Sequence, residues 1–392
     1  MIQLIKNNTQ EMLDEIIKIR RHFHMNPELS NKEVETSRYI EKYLNNLGSF
    51  SIERIGATSL IATIRGPRLG KTIALRCDMD GLALQELASH TYASKNRGIM
   101  HACGHDAHMA IMLGVAKNLV KFKENIKGVI KLIFQAAEEV GGGASEIIEA
   151  KSMQECKINA IYALHVAPHL PVGSIALKKG LICAGVDSFE VTFSGKSAHG
   201  SSPQLGFDAI KAASMFINEI YLRFNKSLAK VAVLSIGQIE GGSASNIIAA
   251  SASLKGTFRT TSKEANEEAL SIINKVMSEV TKKTYVKTSL KITSTYPPVI
   301  NDDKLCDNVM EFAKDNLGKK SIEKMKTHLM LAEDFAFYRK LAPICLYFLG
   351  TAENIKEPHL LHTPNFDIDE TSLFYGAFLQ TLISLDIKEY FL

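Results

Sequence analysis

The sequence predicts an α/β protein in which a smaller α+β domain interrupts the chain of a larger domain. Two observations carry this prediction. The first and last parts of the chain alternate strand and helix patterns, which is typical of a sheet flanked by helices. The middle follows the order β-α-β-β-α-β. A length of 392 residues leaves room for two or three domains and a large buried core.

Apolar periodicity predicts the elements of the first part of the larger domain. Spacing of three and four residues indicates helices, and short apolar runs indicate strands. A glycine at 48 would close the second helix. In chain order the predicted elements are helices 10–24 and 32–47, strands 60–65 and 72–77, helix 109–122, and strands 129–135 and 160–166.

The middle segment, 185–295, is predicted to be the inserted domain, with a ferredoxin-like order of elements. Thr261-x-x-Glu264 fits a capping box at the start of its second helix. The larger domain would then comprise 1–184 and 296–392. The predicted elements of the insert are strand 187–194, helix 208–224, strands 231–239 and 250–260, helix 261–282 and strand 285–293. Those of the last segment are helices 303–317 and 331–341, strand 344–349 and a final helix.

Composition excludes several classes of protein. Lys and Arg number 46 against 42 Asp and Glu, without long basic runs, which argues against a charge-driven nucleic-acid protein. No apolar run approaches the ~18–20 residues that span a bilayer, and the N-terminus lacks the apolar region of a signal peptide. The six cysteines form no C-x-x-C pair. Reduced thiols, a cytoplasmic location and no membrane partner are therefore expected.

The densest group of reactive side chains is the stretch from His101 to His108, with three histidines, one cysteine and one aspartate. Thiolate, imidazole and carboxylate groups are the usual ligands of Zn²⁺ and similar ions. Gly104 permits a sharp turn that would let Cys103 and His105 point at one place. A polar loop with incidental histidines and a Cys-His nucleophile pair are the alternatives.

An acidic pair, Glu138 and Glu139, follows strand 129–135 directly. Sites in α/β sheets lie at the carboxyl ends of strands, and adjacent side chains diverge, so one carboxylate could bind metal while the other moves protons. His165 in an apolar strand and His362 in a late loop could reach the same pocket. Taken singly, the acidic pair is more often a solvated turn and each histidine more often a buried core residue, but together these separated segments could converge on one pocket.

Two aspartates, Asp78 and Asp80, follow strand 72–77. A carboxylate at this position could orient a metal-bound histidine. The alternative is an aspartate that caps the turn after the strand.

The order of motifs over nearly the whole chain resembles a known family. The motifs are Arg20-Arg21-x-x-His24-x-x-Pro27-Glu28, Asp78-Met79-Asp80, His101-Ala102-Cys103-Gly104-His105-Asp106, Gln135-x-x-Glu138-Glu139, Leu164-His165, Ser197-x-His199, Asn246-Ile247-Ile248, Gly256-x-x-Arg259, Glu333-Asp334-Phe335 and Leu361-His362. They resemble the amidohydrolase branch of metallopeptidase family M20. That branch includes aminoacylases, hippurate hydrolases, N-acetyl-diaminopimelate deacetylases and indole-acetyl amino-acid hydrolases.

The resemblance implies a zinc-peptidase-like catalytic domain with an inserted ferredoxin-like lid, and two divalent metal ions per subunit. Zn²⁺ or Mn²⁺ would suit, with Ni²⁺ and Co²⁺ also compatible. One ligand, Cys103, would bridge the two ions. The implied ligands are Cys103, His105, Glu139, His165 and His362.

The resemblance also assigns catalytic and substrate-binding roles. Glu138 would be the general base, and Asp80 belongs with the catalytic residues. His199 would donate to the oxyanion across the interface of a homodimer. Asn246 and Arg259 would hold the free carboxylate of the substrate.

Two departures from the family pattern affect the lid. Gln204 stands where the family usually has histidine, and Ala249 where it usually has proline. They leave the implied metal ligands intact and bear on the fit of the lid to the substrate.

The predicted function is hydrolysis of the amide bond of a small N-acyl amino acid, which releases a carboxylate and a free amino acid. A metal-dependent dipeptidase or aminopeptidase, a non-catalytic homologue that binds metal or ligand, and a thiol enzyme that uses Cys103 are the alternatives.

Overall fold

The computed structural model describes residues 1–352 and 354–385, apart from the side chains of 294 and 295. The end of the predicted segment 296–392, from residue 386 on, lies outside the described residues. The chain divides into two compact units. The large unit comprises Met1–Ile182, Ile300–Thr327 and the described residues from Asp334 on. The small unit comprises Cys183–Val299 and His328–Glu333.

The first part of the large unit alternates helices and strands. Its elements are α1 Ile2–Glu11, α2 Leu13–Met25, α3 Val34–Leu47, β1 Ser51–Ile55, β2 Ser59–Arg65, β3 Arg68–Asp78, α4 His105–Lys121, β4 Lys127–Gln135, α5 Gly143–Glu149, α6 Lys151–Gln154, β5 Ala160–Pro171, β6 Ile175–Leu177 and β7 Gly180–Cys183.

The small unit and the return to the large unit complete the chain. The small unit contains β8 Gly185–Ser194, α7 Ala209–Leu228, β9 Ala232–Gly241, β10 Ser251–Thr260, α8 Lys263–Thr284 and β11 Lys287–Tyr296. The return contains β12 Val299–Asn301, α9 Asp303–Leu317, β13 Ile322–Lys324, β14 Ile344–Ala352 and α10 Ser372–Leu385.

The large unit is built on an eight-stranded mixed sheet with the order β1-β2-β4-β3-β5-β14-β6-β13. Its four central strands, β4, β3, β5 and β14, are parallel to one another. Because these strands are parallel, their carboxyl ends lie at the same edge of the sheet. Parallel strands are usually covered on both faces and therefore consist of continuous apolar residues, and β14 is buried along its whole length.

The helices of the large unit cover this sheet with apolar surface. All described side chains of α10 are buried except that of Tyr375, and α10 packs on α4. A helix that is apolar all round belongs inside a protein. Among the described residues no helix combines the length and apolar character needed to cross a bilayer.

The small unit has the order β-α-β-β-α-β, with the four antiparallel strands arranged β11-β8-β10-β9. Helices α7 and α8 pack on each other and on these strands. They enclose a second apolar core that includes Phe193, Phe216 and Phe258. This order of elements is ferredoxin-like.

Several predicted elements were wrong in detail. The first helix is two helices that meet at Met12. The capping side chain of α8 is Ser262, which accepts from the Ala265 amide, rather than Thr261. The predicted helix 331–341 is a 3₁₀ helix over Asp334–Lys340. The prediction missed the short strands β1, β6, β7, β12 and β13, because three to five residues carry little periodic signal.

Candidate metal centre

The carboxyl ends of the parallel strands present most of the predicted site residues of the large unit. Strand β3 ends at Asp78, two residues before Asp80, and β4 ends three residues before Glu138. His165 lies within β5. A site at this edge is where open α/β sheets place their ligands.

The turn that carries Cys103 leads directly into α4. Gly104 caps the helix in the left-handed region, with φ 81°, and His105 is its first residue. A Cβ at Gly104 would lie 2.4 Å from Cγ2 of Val166. Both the backbone angle and the close approach require glycine. The sequence pattern missed this start and placed the helix four residues later, because polar residues occupy the first turn.

Replacing Gly104 by alanine is expected to destabilise the protein by more than the same change at Gly98. Both glycines have positive φ, 81° and 77°, but no atom lies within 4 Å of a Cβ built at Gly98. The left-handed backbone costs about 1–2 kcal/mol in each variant. The clash with Val166 adds about 1–3 kcal/mol at Gly104 alone. Urea unfolding of the two variants measures the difference, and equal losses would show that the close approach has no cost.

Side chains from four separate segments converge around Cys103. Its Sγ lies 3.5 Å from Nε2 of His165 and 3.3 Å from Nε2 of His362. Nε2 of His362 lies 3.3 Å from Oε1 of Glu139. Cys103 with His105 and His165, and Cys103 with Glu139 and His362, are two groups whose ligand atoms all lie within 4.8 Å of one another.

Hydrogen bonds fix the orientation of two of these imidazoles. His165 donates from Nδ1 to the carbonyl oxygen of Val166 at 2.8 Å. His105 donates from Nδ1 to the carbonyl oxygen of Asp80 at 2.9 Å, with Oδ1 of the same residue at 3.2 Å. In both rings Nε2 is left to act as a ligand, which is the usual arrangement of metal-binding histidines.

Two buried atoms at the centre have no hydrogen-bond partner among the described residues. They are Nε2 of His105 and Oε1 of Glu139. A buried polar atom without a partner costs free energy unless something else satisfies it. A thiol, three imidazoles and a carboxylate form a mixed sulfur, nitrogen and oxygen donor set that suits a divalent cation. The residues therefore fit a metal.

The backbone is strained at Ala137, which directly precedes the acidic pair, and at His362 itself. Ala137 and His362 both adopt the left-handed region, with φ 56° and 57°. Such angles persist where neighbours hold them. The amide of Ala137 donates to Oε1 of Glu33 at 2.9 Å, and the amide of His362 donates to the carbonyl oxygen of Ala102 at 2.8 Å.

Burial sets the protonation of the cysteine and of one histidine. It raises the pKa of the Cys103 thiol well above its usual range, so without a metal this residue is a neutral thiol and a poor nucleophile. Burial, with the neighbouring His108, lowers the pKa of His165 to about 3. His165 is therefore neutral at pH 7, the form that binds metals.

The acidic pair divides between two positions. Glu139 faces His362, as described above. The Glu138 carboxylate forms a group with His105 and Glu139 in which the ligand atoms lie within 4.8 Å of one another. Its side chain is largely buried. Glu138 thus lies beside the potential ligands, where a base could reach a water molecule.

A buried network that the sequence analysis did not recognise holds Asp78 in place. Arg76 is buried in β3 and donates to Asp78 at 2.7 Å, to Asp334 at 2.6 Å and to Gln135 at 3.0 Å. Burial opposes ionisation of Asp78, but the charges of His105, His108 and Arg76 hold its pKa well below the usual range. An arginine inside an apolar strand is the signal that could have revealed it.

His108 extends this network toward the centre. Its Nδ1 donates to Oδ1 of Asp78 at 2.6 Å, and its Nε2 accepts from the amide of Val166 at 2.9 Å. His108 therefore braces the strand residue that follows His165. Its place on α4, one turn after His105, is the sequence signal for this role.

Three predicted site residues belong to the small unit. His199 and Asn246 are exposed and close together, since the amide of Gly200 donates to the carbonyl oxygen of Asn246 at 2.8 Å. Arg259 donates from Nη1 to the carbonyl oxygen of Met330 at 3.0 Å. Their roles on substrate stay predictions.

Comparison with known proteins identifies the family. The model of "Peptidase family M20/M25/M40" matches residues 74–383. The chain belongs to this family. The resemblance, the fold class and the prediction of a hydrolase are thereby confirmed.

Individual members of the M20 family match the chain over almost its full length. It is 36% identical to Thermostable carboxypeptidase 2 of Saccharolobus solfataricus, over 98% of each chain. It is also 36% identical to N-acetyl-L-cysteine deacetylase of Bacillus subtilis, over 95% of this chain and 88% of the relative. A solved dinuclear metal-binding peptidase of the family from Bacillus subtilis superimposes with a TM-score of 0.83 and 31% identity, over 97% of this chain and 99% of that one.

Proposed function

We propose that this chain is a dinuclear metal-dependent amidohydrolase that removes the acyl group from small N-acyl amino acids. The observation that supports it most is the convergence of Cys103, His105, Glu139, His165 and His362 with Glu138 beside them. One relative is named a deacetylase of an N-acetyl amino acid, and one relative with a solved structure is described as a dinuclear metal-binding peptidase. We assign the five side chains as ligands of two divalent ions, with Zn²⁺ or Mn²⁺ as the candidates.

The chemistry follows from the placement of these groups. Divalent ions bound here would supply Lewis-acid activation of water and of the amide carbonyl. Glu138 takes the proton of the attacking water and passes it to the leaving amine. Asp80 holds His105 in the orientation that presents Nε2, and Ser30 in turn donates to Asp80 at 2.7 Å. Asp80 is thus a positioning residue in this scheme.

The small unit would supply the remaining contacts with substrate. His199 donates to the oxyanion that forms on the amide carbonyl. Arg259 offers a guanidinium fork for the free carboxylate, and Asn246 a neutral amide beside it. We propose that His199 acts across the interface of a homodimer and that the enzyme works in the cytoplasm.

Two inactive variants should complement each other if His199 acts in trans. In a mixed dimer of Glu138→Gln and His199→Ala subunits, one site combines an intact Glu138 with the partner subunit's His199. Equal mixing after unfolding and refolding together should restore about a quarter of wild-type activity. Each variant refolded alone is the control. Mixed dimers, verified with two affinity tags, that remain inactive would contradict action in trans.

A peptidase is the second candidate, because one relative is named a carboxypeptidase. An N-acyl amino acid and a peptide with a free C-terminus both place a carboxylate next to the amide bond that is cleaved. The same site could therefore accept both kinds of substrate. The group on the acyl side of the amide bond would determine which of them is hydrolysed faster.

Release of free amino acid from matched substrates tests the proposal. The panel pairs acetyl, benzoyl and longer acyl derivatives of one amino acid with dipeptides that end in the same residue. The proposal predicts metal-dependent release from one acyl class and slower release from the dipeptides. Faster release from the dipeptides would assign the enzyme to the peptidases, and no release from any of them by the metal-loaded protein would contradict both.

A further inference from the structure

A second group of potential metal ligands lies in the large unit, apart from the proposed centre. It consists of His24 at the end of α2, Glu86 and His90 in the segment after β3, and Asp367 before α10, and we call it the His24 cluster. Oε1 of Glu86 lies 3.1 Å from Nε2 of His24 and 3.0 Å from Nε2 of His90. Oδ2 of Asp367 lies 3.8 Å from the same nitrogen of His90. The proposed hydrolysis uses none of these four side chains.

We propose that the His24 cluster binds a structural zinc ion. Two imidazoles and carboxylates are a common zinc donor set. With bonds of roughly 2.0–2.1 Å, the ligand atoms of a tetrahedral zinc site are separated by about 3.3 Å. The observed separations of 3.0, 3.1 and 3.8 Å bracket that value.

The surroundings of His24 favour a ligand role. Its Nδ1 donates to Oδ2 of Asp106 at 2.8 Å, and its Nε2 donates to Oε1 of Glu86 at 3.1 Å. A metal ion could replace the proton on Nε2 while Nδ1 keeps its bond to Asp106. This pairing of carboxylate and imidazole orients metal-bound histidines in many zinc sites. His24 and Asp106 are both fully buried, so the orientation is fixed.

The two ring nitrogens of His90 are available to bind a metal ion. Neither Nδ1 nor Nε2 makes a hydrogen bond among the described residues, although both atoms are buried. The proximity of Nε2 to Glu86 is therefore not a well-formed hydrogen bond. The ring stacks on Tyr92 at 3.9 Å with an interplanar angle of 17°, which holds it toward the cluster. A bound cation would satisfy Nε2 without moving the ring.

The side chains around the cluster carry more negative than positive charge, which favours binding of a cation. Arg20 is fully buried and pairs with Asp106, Asp367 and Glu370, and Arg21 pairs with Glu370. With Glu86 the network holds four carboxylates against two guanidinium groups. The carboxylates outnumber the guanidinium groups by two, and buried charge is costly unless it is compensated. Burial lowers the pKa of His24, but Asp106 and Glu86 raise it by more, so a proton on this ring balances one of the two charges. A divalent ion that replaces this proton would balance both.

A zinc ion here would tie three distant segments of the chain together. It would link the end of α2, the segment after β3 and the segment before α10. Through Asp106, the residue after His105, it would also support the turn that carries Cys103. This inference does not depend on the reaction that the enzyme performs.

Zinc content of a His90→Phe variant tests the proposal. Phenylalanine keeps a ring to stack on Tyr92 and removes both nitrogens. His22→Phe is the matched control. His22 lies in the same helix as His24 and stacks on the Tyr39 ring at 4.3 Å, but it is outside the His24 cluster. Each protein is saturated with Zn²⁺, freed of excess by gel filtration and measured by elemental analysis. We expect His90→Phe to hold one zinc fewer per chain than wild type and His22→Phe to hold the same number.

Activity and spectroscopy separate this site from the proposed catalytic centre. His90→Phe should retain hydrolytic activity while it loses one metal, and cobalt-loaded wild type should show a visible band that the variant lacks. Equal zinc content in wild type and His90→Phe would overturn the proposal, as would equal loss in both histidine variants. If circular dichroism shows His90→Phe to be unfolded, His90→Ala is measured by the same criteria.

Discussion

Replacing Glu138 by glutamine is expected to lower the rate of amide hydrolysis by about 10²–10⁴-fold while the metal content stays unchanged. The amide has nearly the same shape as the carboxylate but cannot accept the proton of the attacking water. Because Glu138 lies beside the potential ligands His105 and Glu139, the change leaves the metal ligands themselves intact. The measurement is kcat on the best N-acyl substrate, together with metal content of the same sample.

The neighbouring Glu139→Gln variant is the control for this prediction. Its carboxylate oxygen lies 3.3 Å from Nε2 of His362 and has no hydrogen-bond partner among the described residues. Glu139→Gln should therefore lose metal as well as activity. A Glu138→Gln protein that keeps its activity, or that loses metal as Glu139→Gln does, would contradict the division of roles between the two carboxylates.

Replacing Arg76 by methionine is expected to lower the free energy of unfolding by about 3–5 kcal/mol. The substitution keeps most of the apolar stem but leaves Asp78 and Asp334 buried without their cation. Both ion pairs are nearly inaccessible to water, at 2.7 Å and 2.6 Å. Urea unfolding of metal-free wild type and variant measures the loss.

Arg54→Met is the matched surface control. Arg54 pairs with Glu41 where both side chains are substantially exposed. Exposed ion pairs contribute about 0–1 kcal/mol, so this variant should unfold near the wild-type midpoint. Similar losses of unfolding free energy in both arginine variants would show that burial does not strengthen the ion pairs of Arg76. A stable Arg76→Met protein would mean that Asp78 and Asp334 find other partners.

The local part of the candidate site could be predicted from the sequence. Cys103 and His105 are two residues apart around Gly104, so their convergence follows from one turn. The acidic pair directly after β4 follows from the rule that sites form at strand ends. The order of elements in the small unit was also readable, because strands of ten residues carry enough alternation.

The distant part could not be derived from patterns alone. Asp334 meets Arg76 across 258 positions of the chain, and no periodicity links them. His362 reaches Cys103 from a loop with a left-handed backbone angle that only tertiary contacts maintain. Motif order supplied His362 through the resemblance to the family. Nothing in the pattern singled out His90, because a lone histidine near a glutamate is common on protein surfaces.

The most direct test of the dinuclear amidohydrolase is the activity of protein stripped of metal and then reloaded. Amine release from the preferred N-acyl amino acid is followed in three samples: stripped wild type, wild type reloaded with Zn²⁺ or Mn²⁺, and reloaded Glu138→Gln. The account predicts activity in the reloaded wild type alone. Full activity in the stripped protein, abolished by alkylation of Cys103, would contradict it and assign the reaction to a thiol enzyme.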